Sequence, residues 1–286
     1  MLAARTRAGL ARDQHAERVR GRRHPQRLGQ ASRGRGRRRR HRGHIRTRTP
    51  RAAQPLRNKE ETVGSDNPLD GKIGVITGAS SGIGKAAALS WAALGADIVA
   101  SARSAAPRSD GYPSLVDTRQ GVEDLGRRCV AVKADVSKAD DVAQLYQETI
   151  DAFGHVDILM NNAAALEQDA MNASFRDMTL ESWRYQIDVN LTGPWLVTKT
   201  FLPALMTKGG LVINVTSGPL PDQPPYMRLP GQGYPGAAYP TTKAGLNRMT
   251  EVLANELRQY AIAVVAFHPG RARVERSVAR LTAAGY

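Results

Sequence analysis

The segment TGASSGIG at residues 77–84 lies between an apolar run, Ile73 to Thr77, and an alanine-rich helical pattern from Gly84 to Leu94. Its three glycines allow a tight turn and let a ligand approach the backbone closely. The helix that follows directs its free N–H groups and its dipole toward an anion. A plain turn is the alternative for such a glycine cluster, but its place after the first strand favours a dinucleotide phosphate site. The predicted contact residues are Gly78, Ser80, Ser81, Gly82, Ile83 and Gly84.

Short apolar runs alternate with helical patterns along the rest of the chain. Further strands are predicted at Asp97–Ala102, Cys129–Ala134, Val156–Asn161, Leu211–Thr216 and Ile262–Phe267. Helices are predicted at Asp140–Phe153, at Trp183–Met206 with interruptions at Pro194 and Pro203, and at Tyr239–Tyr260. This alternation predicts an α/β fold, a doubly wound parallel sheet of the Rossmann type in three layers. Ligands of such sheets bind at the carboxyl ends of the strands.

The second strand ends in the sequence SARS at residues 101–104. A carboxylate at this position would bind the adenosine ribose hydroxyls and favour NAD. Arg103 stands there instead, and its guanidinium suits a 2′-phosphate in charge and geometry. The sequence therefore favours NADP over NAD, with a solvated surface arginine as the alternative.

A phenol and an ammonium, Tyr239 and Lys243, are four residues apart and so share one face of the predicted helix. A free phenol has a pKa of about 10, and a nearby cation lowers that value. The pair is then suited to exchange a proton with an alcohol or a carbonyl oxygen. Ser217 follows the fifth predicted strand and is placed to hydrogen-bond such an oxygen. If each feature is taken alone, the alternative for the Tyr239/Lys243 pair is an exposed helix face, and the alternative for Ser217 is a serine in a turn.

These features occur together in a fixed order. The glycine turn is followed by NNAA at residues 161–164, Asn190, Ser217 and the Tyr239/Lys243 pair. In this combination the chain resembles the short-chain dehydrogenase/reductase family over residues 68–276. The resemblance implies an oxidoreductase that interconverts a carbonyl and a secondary alcohol by hydride transfer from or to a nicotinamide cofactor. A catalytically weak dinucleotide-binding protein is the alternative.

The resemblance also implies roles for individual residues. Tyr239 is the expected acid/base, and Lys243 is expected to bind the nicotinamide ribose and lower the phenol pKa. Ser217 would orient the substrate carbonyl, and Asn190 would hold a water of the proton relay beside Lys243. The other expected cofactor contacts are Asp135, Val136, Asn162, Ala163, Tyr239, Pro269, Gly270 and Ala272.

The formal charge of +15 comes from the beginning of the chain. Residues 1–57 hold 19 arginines, no lysine and two acids, so they carry +17 and the remainder carries −2. With few large apolar residues, residues 1–67 are expected to be a disordered tail before an oxidoreductase domain at 68–286. The tail is interpreted as a nucleic-acid- or lipid-binding arm, as an organelle presequence, or as a segment without function upstream of the true start codon. The near-neutral remainder disfavours nucleic-acid binding as the main function.

Cysteine and histidine are scarce. Cys129, the single cysteine, lies in a predicted buried strand, which indicates a structural thiol and a reducing, cytoplasmic location. His155 and His268 are the histidines outside the tail, and without further ligands no metal site is predicted. No run approaches the roughly 18 apolar residues of a membrane-spanning helix.

Two segments depart from the family pattern. The stretch between Ser217 and Tyr239 is long and rich in proline and tyrosine, and we expect a loop that shapes the choice of a small carbonyl or alcohol substrate. Relatives continue past Pro269-Gly270 through a lid to a seventh strand that commonly contributes to a homo-oligomer, whereas sixteen residues follow Gly270 here. We therefore expect a sheet that lacks its last strand, with lower stability and slower turnover.

Overall fold

Strands and helices alternate throughout the computed structural model, which describes residues 67–106, 112–165, 174–217, 237–270, 272, 274 and 275. The strands are β1 (Ile73–Thr77), β2 (Asp97–Ala102), β3 (Cys129–Lys133), β4 (Ile158–Asn161), β5 (Gly210–Val215) and β6 (Ile262–Phe267). The helices are α1 (Gly82–Ala93), α2 (Leu115–Glu123), α3 (Ala139–Phe153), α4 (Leu180–Ile187), α5 (Gly193–Lys208) and α6 (Ala238–Glu256). The predicted tail, most of the proline-rich segment and residues 276–286 lie outside the described residues, so those expectations stay predictions.

The six described strands form one parallel sheet in the order β3-β2-β1-β4-β5-β6. The chain builds outward from β1 to β3, then returns to β4 on the other side of β1. The crossovers on the two sides of this point diverge, which opens a crevice at the carboxyl ends of β1 and β4. This order confirms the predicted Rossmann-type sheet and fixes where a ligand site belongs.

Both faces of the sheet are covered by apolar side chains. Val75 and Ile76 are consecutive in β1 and fully buried, so they point to opposite faces. Val75 belongs to a cluster with Leu159 and Phe201, and Ile76 belongs to another with Ala88 and Met160. Burial on both faces explains why the strands appear in the sequence as nearly unbroken apolar runs.

The helical stretch predicted at Trp183–Met206 is interrupted at a different place than expected. A π-helical turn, Asp188–Thr192, separates α4 from α5, and the Gly193 N–H donates to the Asp188 carbonyl five residues back. Pro194 falls in the first turn of α5, directly after this π-helical turn, and Pro203 lies inside α5 without ending it. The interruption predicted at Pro194 is therefore displaced by a few residues, and the interruption predicted at Pro203 was wrong.

The edges of the described sheet have contrasting burial. Cys129 begins β3 and is buried, and burial is the main cause that raises the pKa of its thiol to about 12. At the other edge, Val265 and Phe267 of β6 are nearly half exposed.

Among the described residues, no helix combines the length and apolar character that a membrane crossing requires.

Candidate active site

The glycine turn after β1 presents backbone atoms without side chains at two of its glycines. Gly78 has a φ of +67°, and a Cβ added there would lie 2.7 Å from the Ala163 Cα. A Cβ added to Gly84 would lie 2.4 Å from the Gly78 carbonyl oxygen. Neither position has space for a side chain, because both glycines pack against neighbouring backbone. The turn thus brings α1 close to the strand and leaves its N–H groups accessible to a ligand.

Asn162, which follows β4, fastens this turn to the sheet. Its Nδ2 donates to the carbonyl oxygens of Thr77 at 2.9 Å and Gly78 at 3.0 Å. The Thr77 hydroxyl oxygen in turn accepts from the backbone N–H groups of Asn162 and Ala163, both at 3.1 Å. The NNAA motif therefore fixes the end of β4 relative to the end of β1, on either side of the crevice.

An anionic group of the chain itself lies at the beginning of α1. The Gly82 N–H donates to Oε2 of Glu275 at 2.9 Å. The helix has no acidic residue in its first turn, and the side chain of its N-cap residue, Ser81, makes no capping bond. The Glu275 carboxylate consequently satisfies an N–H and a positive helix end that are suited to an anionic ligand. No local sequence pattern indicates this contact, because 193 positions separate the two residues.

Positive charge lies at the end of β2. Arg103 is exposed and lines the crevice together with Ser104, and no carboxylate occupies this strand end. The Arg103 Nη1 donates to the Tyr185 hydroxyl oxygen, and the guanidinium carbon lies 5.8 Å from the centre of the Tyr185 ring. Tyr185, on α4, was not among the expected site residues.

The phenol and ammonium expected to act together are placed together by α6. Lys243 is 3% exposed, and its Nζ donates to the Val215 carbonyl oxygen at 2.8 Å. The same Nζ lies 5.8 Å from the centre of the Tyr239 ring. Burial lowers the pKa of Lys243 to about 8. Tyr239, Ser217 and Lys243 all line the crevice, with Ser217 just after β5 and the other two near the beginning of α6.

Asn190, the expected water-holding residue, lies deeper than the crevice wall. Its side chain is fully buried, its Nδ2 donates to the Gln186 Oε1 at 2.6 Å, and its Oδ1 accepts from the Ala165 N–H at 2.8 Å. Asn190 also belongs to the π-helical turn that precedes α5. Its role in a proton relay stays a prediction.

Asp135 shapes the turn into α3 instead of lining the crevice. Its Oδ1 accepts from the Ser137 N–H at 3.0 Å and from the Ser137 hydroxyl at 2.7 Å, and its own N–H donates to Asp141. The neighbouring Val136 does line the crevice, and it packs so closely that a Cβ on Gly193 would lie 2.8 Å from it. The adenine contacts expected of Asp135 and Val136 stay predictions, with Val136 in the crevice wall and the Asp135 side chain bonded to Ser137.

The crevice has a volume of about 450 Å³. The expected residues that line it are Gly78, Ser80, Ser81, Gly82, Ile83, Arg103, Val136, Asn162, Ala163, Ser217, Tyr239, Lys243, Pro269, Gly270 and Ala272. Gly84, Asp135 and Asn190 do not line it, and each is instead packed or hydrogen-bonded behind its wall. Lining residues missed by the sequence reasoning include Tyr112, Ser114, Val189, Thr216 and Val274. The sequence signal that could have located Ser114 is the Ser-x-x-Asp capping box of Ser114 and Asp117, which marks the beginning of α2.

A 3-2-1-4-5-6 sheet with this crevice defines the class of dinucleotide-binding Rossmann proteins, and the Tyr-Lys pair indicates an oxidoreductase within it. The family model described as short chain dehydrogenase matches residues 72–282. The chain belongs to the short-chain dehydrogenase/reductase family, whose members are oxidoreductases that use nicotinamide cofactors.

Individual relatives agree with this assignment. The chain is 36% identical over 203 residues to a 3-oxoacyl-[acyl-carrier-protein] reductase of Synechocystis sp., covering 71% of this chain and 74% of the relative. It is similar to the crystal structure of a metagenomic short-chain oxidoreductase in complex with NADP, with 31% identity, a TM-score of 0.59, and coverage of 72% and 85%. It is also similar to carveol dehydrogenase from Mycobacterium avium in complex with NAD, with 26% identity, a TM-score of 0.58, and coverage of 69% and 70%.

Proposed function

We propose that this protein is an NADP-dependent oxidoreductase that interconverts a small carbonyl compound and a secondary alcohol. The observation that carries the proposal is the buried Lys243 ammonium beside the Tyr239 phenol, in the same crevice as the glycine turn. A phenol beside a cation is suited to proton exchange. A glycine turn with accessible backbone N–H groups is suited to bind the phosphates of a dinucleotide.

The residues present fit a nicotinamide dinucleotide. The glycine turn has no space for a Cβ at Gly78 or Gly84, and the Gly82 N–H already binds an anionic oxygen, that of Glu275. The turn would hold the pyrophosphate, Val136 would contact the adenine, and Lys243 would contact the nicotinamide ribose. When bound, the cofactor supplies or accepts the hydride, and the protein supplies orientation and electrostatics.

The chain's own residues would handle the proton. In reduction, the Tyr239 hydroxyl donates its proton to the developing alkoxide oxygen, and in oxidation the phenolate removes the proton of the alcohol. The positive charge of Lys243 stabilises the phenolate and so lowers the pKa of the phenol. The Ser217 hydroxyl would donate a hydrogen bond to the same substrate oxygen and fix its distance from Tyr239.

Arg103 is the basis for proposing NADP over NAD. Its guanidinium lies at the end of β2, where the adenosine ribose of a dinucleotide is bound in this fold. A charge-assisted pair of hydrogen bonds to a 2′-phosphate would favour the phosphorylated cofactor. The solved relatives include both NADP and NAD complexes, so the choice depends on this residue.

Replacing Arg103 by Ala is expected to weaken NADPH binding about 10- to 100-fold, because hydrogen bonds to charged groups contribute roughly 1.5–3 kcal/mol. NADH binding should stay within about twofold of the wild type. Calorimetric titration of both cofactors measures the change, and the exposed Arg248→Ala variant on α6 serves as a control for the loss of a surface arginine. Equal weakening of both cofactors, or of neither, would contradict the NADP assignment.

Oxidation of NADPH with a panel of carbonyl compounds tests the function as a whole. The panel should include simple ketones, a 3-oxoacyl thioester, a steroid-like ketone and a sugar-like carbonyl. Turnover of at least one compound with NADPH supports the proposal. Tight NADPH binding with no turnover of any compound would indicate a dinucleotide-binding protein of low activity.

Glu275 is expected to oppose cofactor binding, because its carboxylate lies at the N–H that the pyrophosphate would use. In Glu275→Gln the side-chain carbonyl can still accept from Gly82 while the negative charge is gone. We expect NADPH affinity to rise about 2- to 5-fold, in line with charge effects at helix ends of about 0.3–1 kcal/mol. The exposed Glu251→Gln on α6 is the matched control. An unchanged dissociation constant for Glu275→Gln would show that the carboxylate does not compete with the phosphates.

A further inference from the structure

The exposed arginine at the end of β2 is held by an aromatic residue from a different part of the chain. The Tyr185 hydroxyl oxygen accepts a hydrogen bond from the Arg103 Nη1, and the guanidinium carbon lies 5.8 Å from the centre of the Tyr185 ring. The hydrogen bond places the guanidinium next to the phenol oxygen, and the separation from the ring centre follows from that placement. The contact restricts the position of the guanidinium at the end of β2.

Tyr185 is itself anchored. Its ring is partly buried and packs against the core cluster that contains Val136 and Val189. Both of these residues line the crevice, and Val189 follows Tyr185 by four positions, so the two lie on nearly the same side of the helical segment. The phenol oxygen is therefore presented to Arg103 from a packed helix next to the crevice wall and not from a mobile loop.

An arginine side chain has many rotamers, and a ligand that orders it loses part of the binding free energy to that ordering. A guanidinium carries five N–H donors in a fixed fork, so a phenol that binds one of them fixes the orientation of the fork. We propose that Tyr185 is a positioning residue that orients Arg103 for the 2′-phosphate of the cofactor. This inference rests on the proposed preference for NADP, and it adds a second residue, on α4, to the determinants of that preference.

The effect should be confined to ligands that carry the 2′-phosphate. Tyr185 does not line the crevice and its hydroxyl contacts Arg103, so we expect a loss of the hydroxyl to act on the ligand through Arg103. A residue with a merely structural role would weaken phosphorylated and unphosphorylated ligands alike. The adenosine fragments 2′,5′-ADP and 5′-AMP separate these two cases without any substrate or turnover.

Tyr185→Phe removes the phenol oxygen and keeps the ring. We expect the dissociation constant of 2′,5′-ADP to rise about fivefold in calorimetric titration, which corresponds to about 1 kcal/mol at 25 °C. The dissociation constant of 5′-AMP should stay unchanged. Tyr260→Phe, at a partly exposed tyrosine next to α6 and away from the crevice, controls for the loss of a phenol oxygen. In an Arg103→Ala background, Tyr185→Phe should have no further effect, since the two residues act as one unit.

Two results would overturn the inference while leaving the NADP proposal intact. One is a 2′,5′-ADP affinity unaffected by Tyr185→Phe although Arg103→Ala weakens it. The other is an equal loss for both fragments in Tyr185→Phe, which would indicate a structural role. If Arg103→Ala itself leaves the preference for 2′,5′-ADP over 5′-AMP unchanged, the NADP proposal and the role of Tyr185 both fail.

Discussion

Replacing Tyr239 by Phe is expected to lower the turnover number about 10²- to 10⁴-fold, the range that a positioned general acid or base contributes. The ring and its packing are retained, so only the proton that exchanges with the substrate oxygen is lost. The buried Lys243 ammonium lies 5.8 Å from the centre of this ring and would then have no phenolate to stabilise. Steady-state rates with the best carbonyl substrate, compared with the wild type, measure the effect.

Cofactor binding and folding are the controls for this variant. NADPH affinity should change by less than about threefold, because the contacts proposed for the glycine turn, Val136 and Arg103 do not use the Tyr239 hydroxyl. The midpoint of thermal unfolding should also stay close to that of the wild type. A turnover number within a few-fold of the wild type would show that another group exchanges the proton, and the assignment of Tyr239 would be withdrawn.

The strands were predictable because the apolar pattern that specifies each of them is confined to a few consecutive residues. β1, β2 and β6 have the bounds that the apolar runs indicated, since a parallel strand covered on both faces needs apolar residues at nearly every position. The helix α1 begins at Gly82, two residues before the predicted Gly84. Gly82 has a φ of +59°, and from the sequence a glycine at this point is interpreted as part of the turn. Pro203 misled the helix prediction because α5 continues through it, whereas the break predicted at Pro194 lies next to the π-helical turn.

The site was predictable where it depends on strand ends and was missed where it depends on distant contacts. The rule that ligands bind at the carboxyl ends of parallel strands located Arg103, Ser217 and Pro269. The contacts of Tyr185 with Arg103 and of Glu275 with Gly82 join residues 82 and 193 positions apart. No local pattern encodes such pairs, because they arise only when the crossovers bring distant parts of the chain together.

The burial of Lys243 should make the fold less stable than it would be with an apolar residue. Burial lowers the pKa of Lys243 from 10.5 to about 8. A shift of this size corresponds to about 3 kcal/mol by the conversion of roughly 1.4 kcal/mol per pKa unit. Below pH 8 the lysine is charged in both the folded and the unfolded protein, so this cost is fully present. Between pH 8 and 10.5 the folded protein loses the proton first, and the cost decreases with rising pH.

Lys243→Met is therefore expected to abolish turnover and yet stabilise the cofactor-free protein by about 1–3 kcal/mol at pH 7. The gain is smaller than the full cost because the Val215 carbonyl oxygen loses the hydrogen bond from Nζ. At pH 10 the advantage should shrink or reverse, since a neutral lysine keeps that bond. Urea unfolding of both proteins at the two pH values measures the difference, with the surface variant Lys199→Met as a pH-independent control. A difference that is the same at pH 7 and pH 10 would mean that the pKa of Lys243 is the same in the folded and the unfolded protein, so that burial does not destabilise its charge. A gain that decreases with rising pH would show that the fold retains an unfavourable charge where the proposed chemistry requires one.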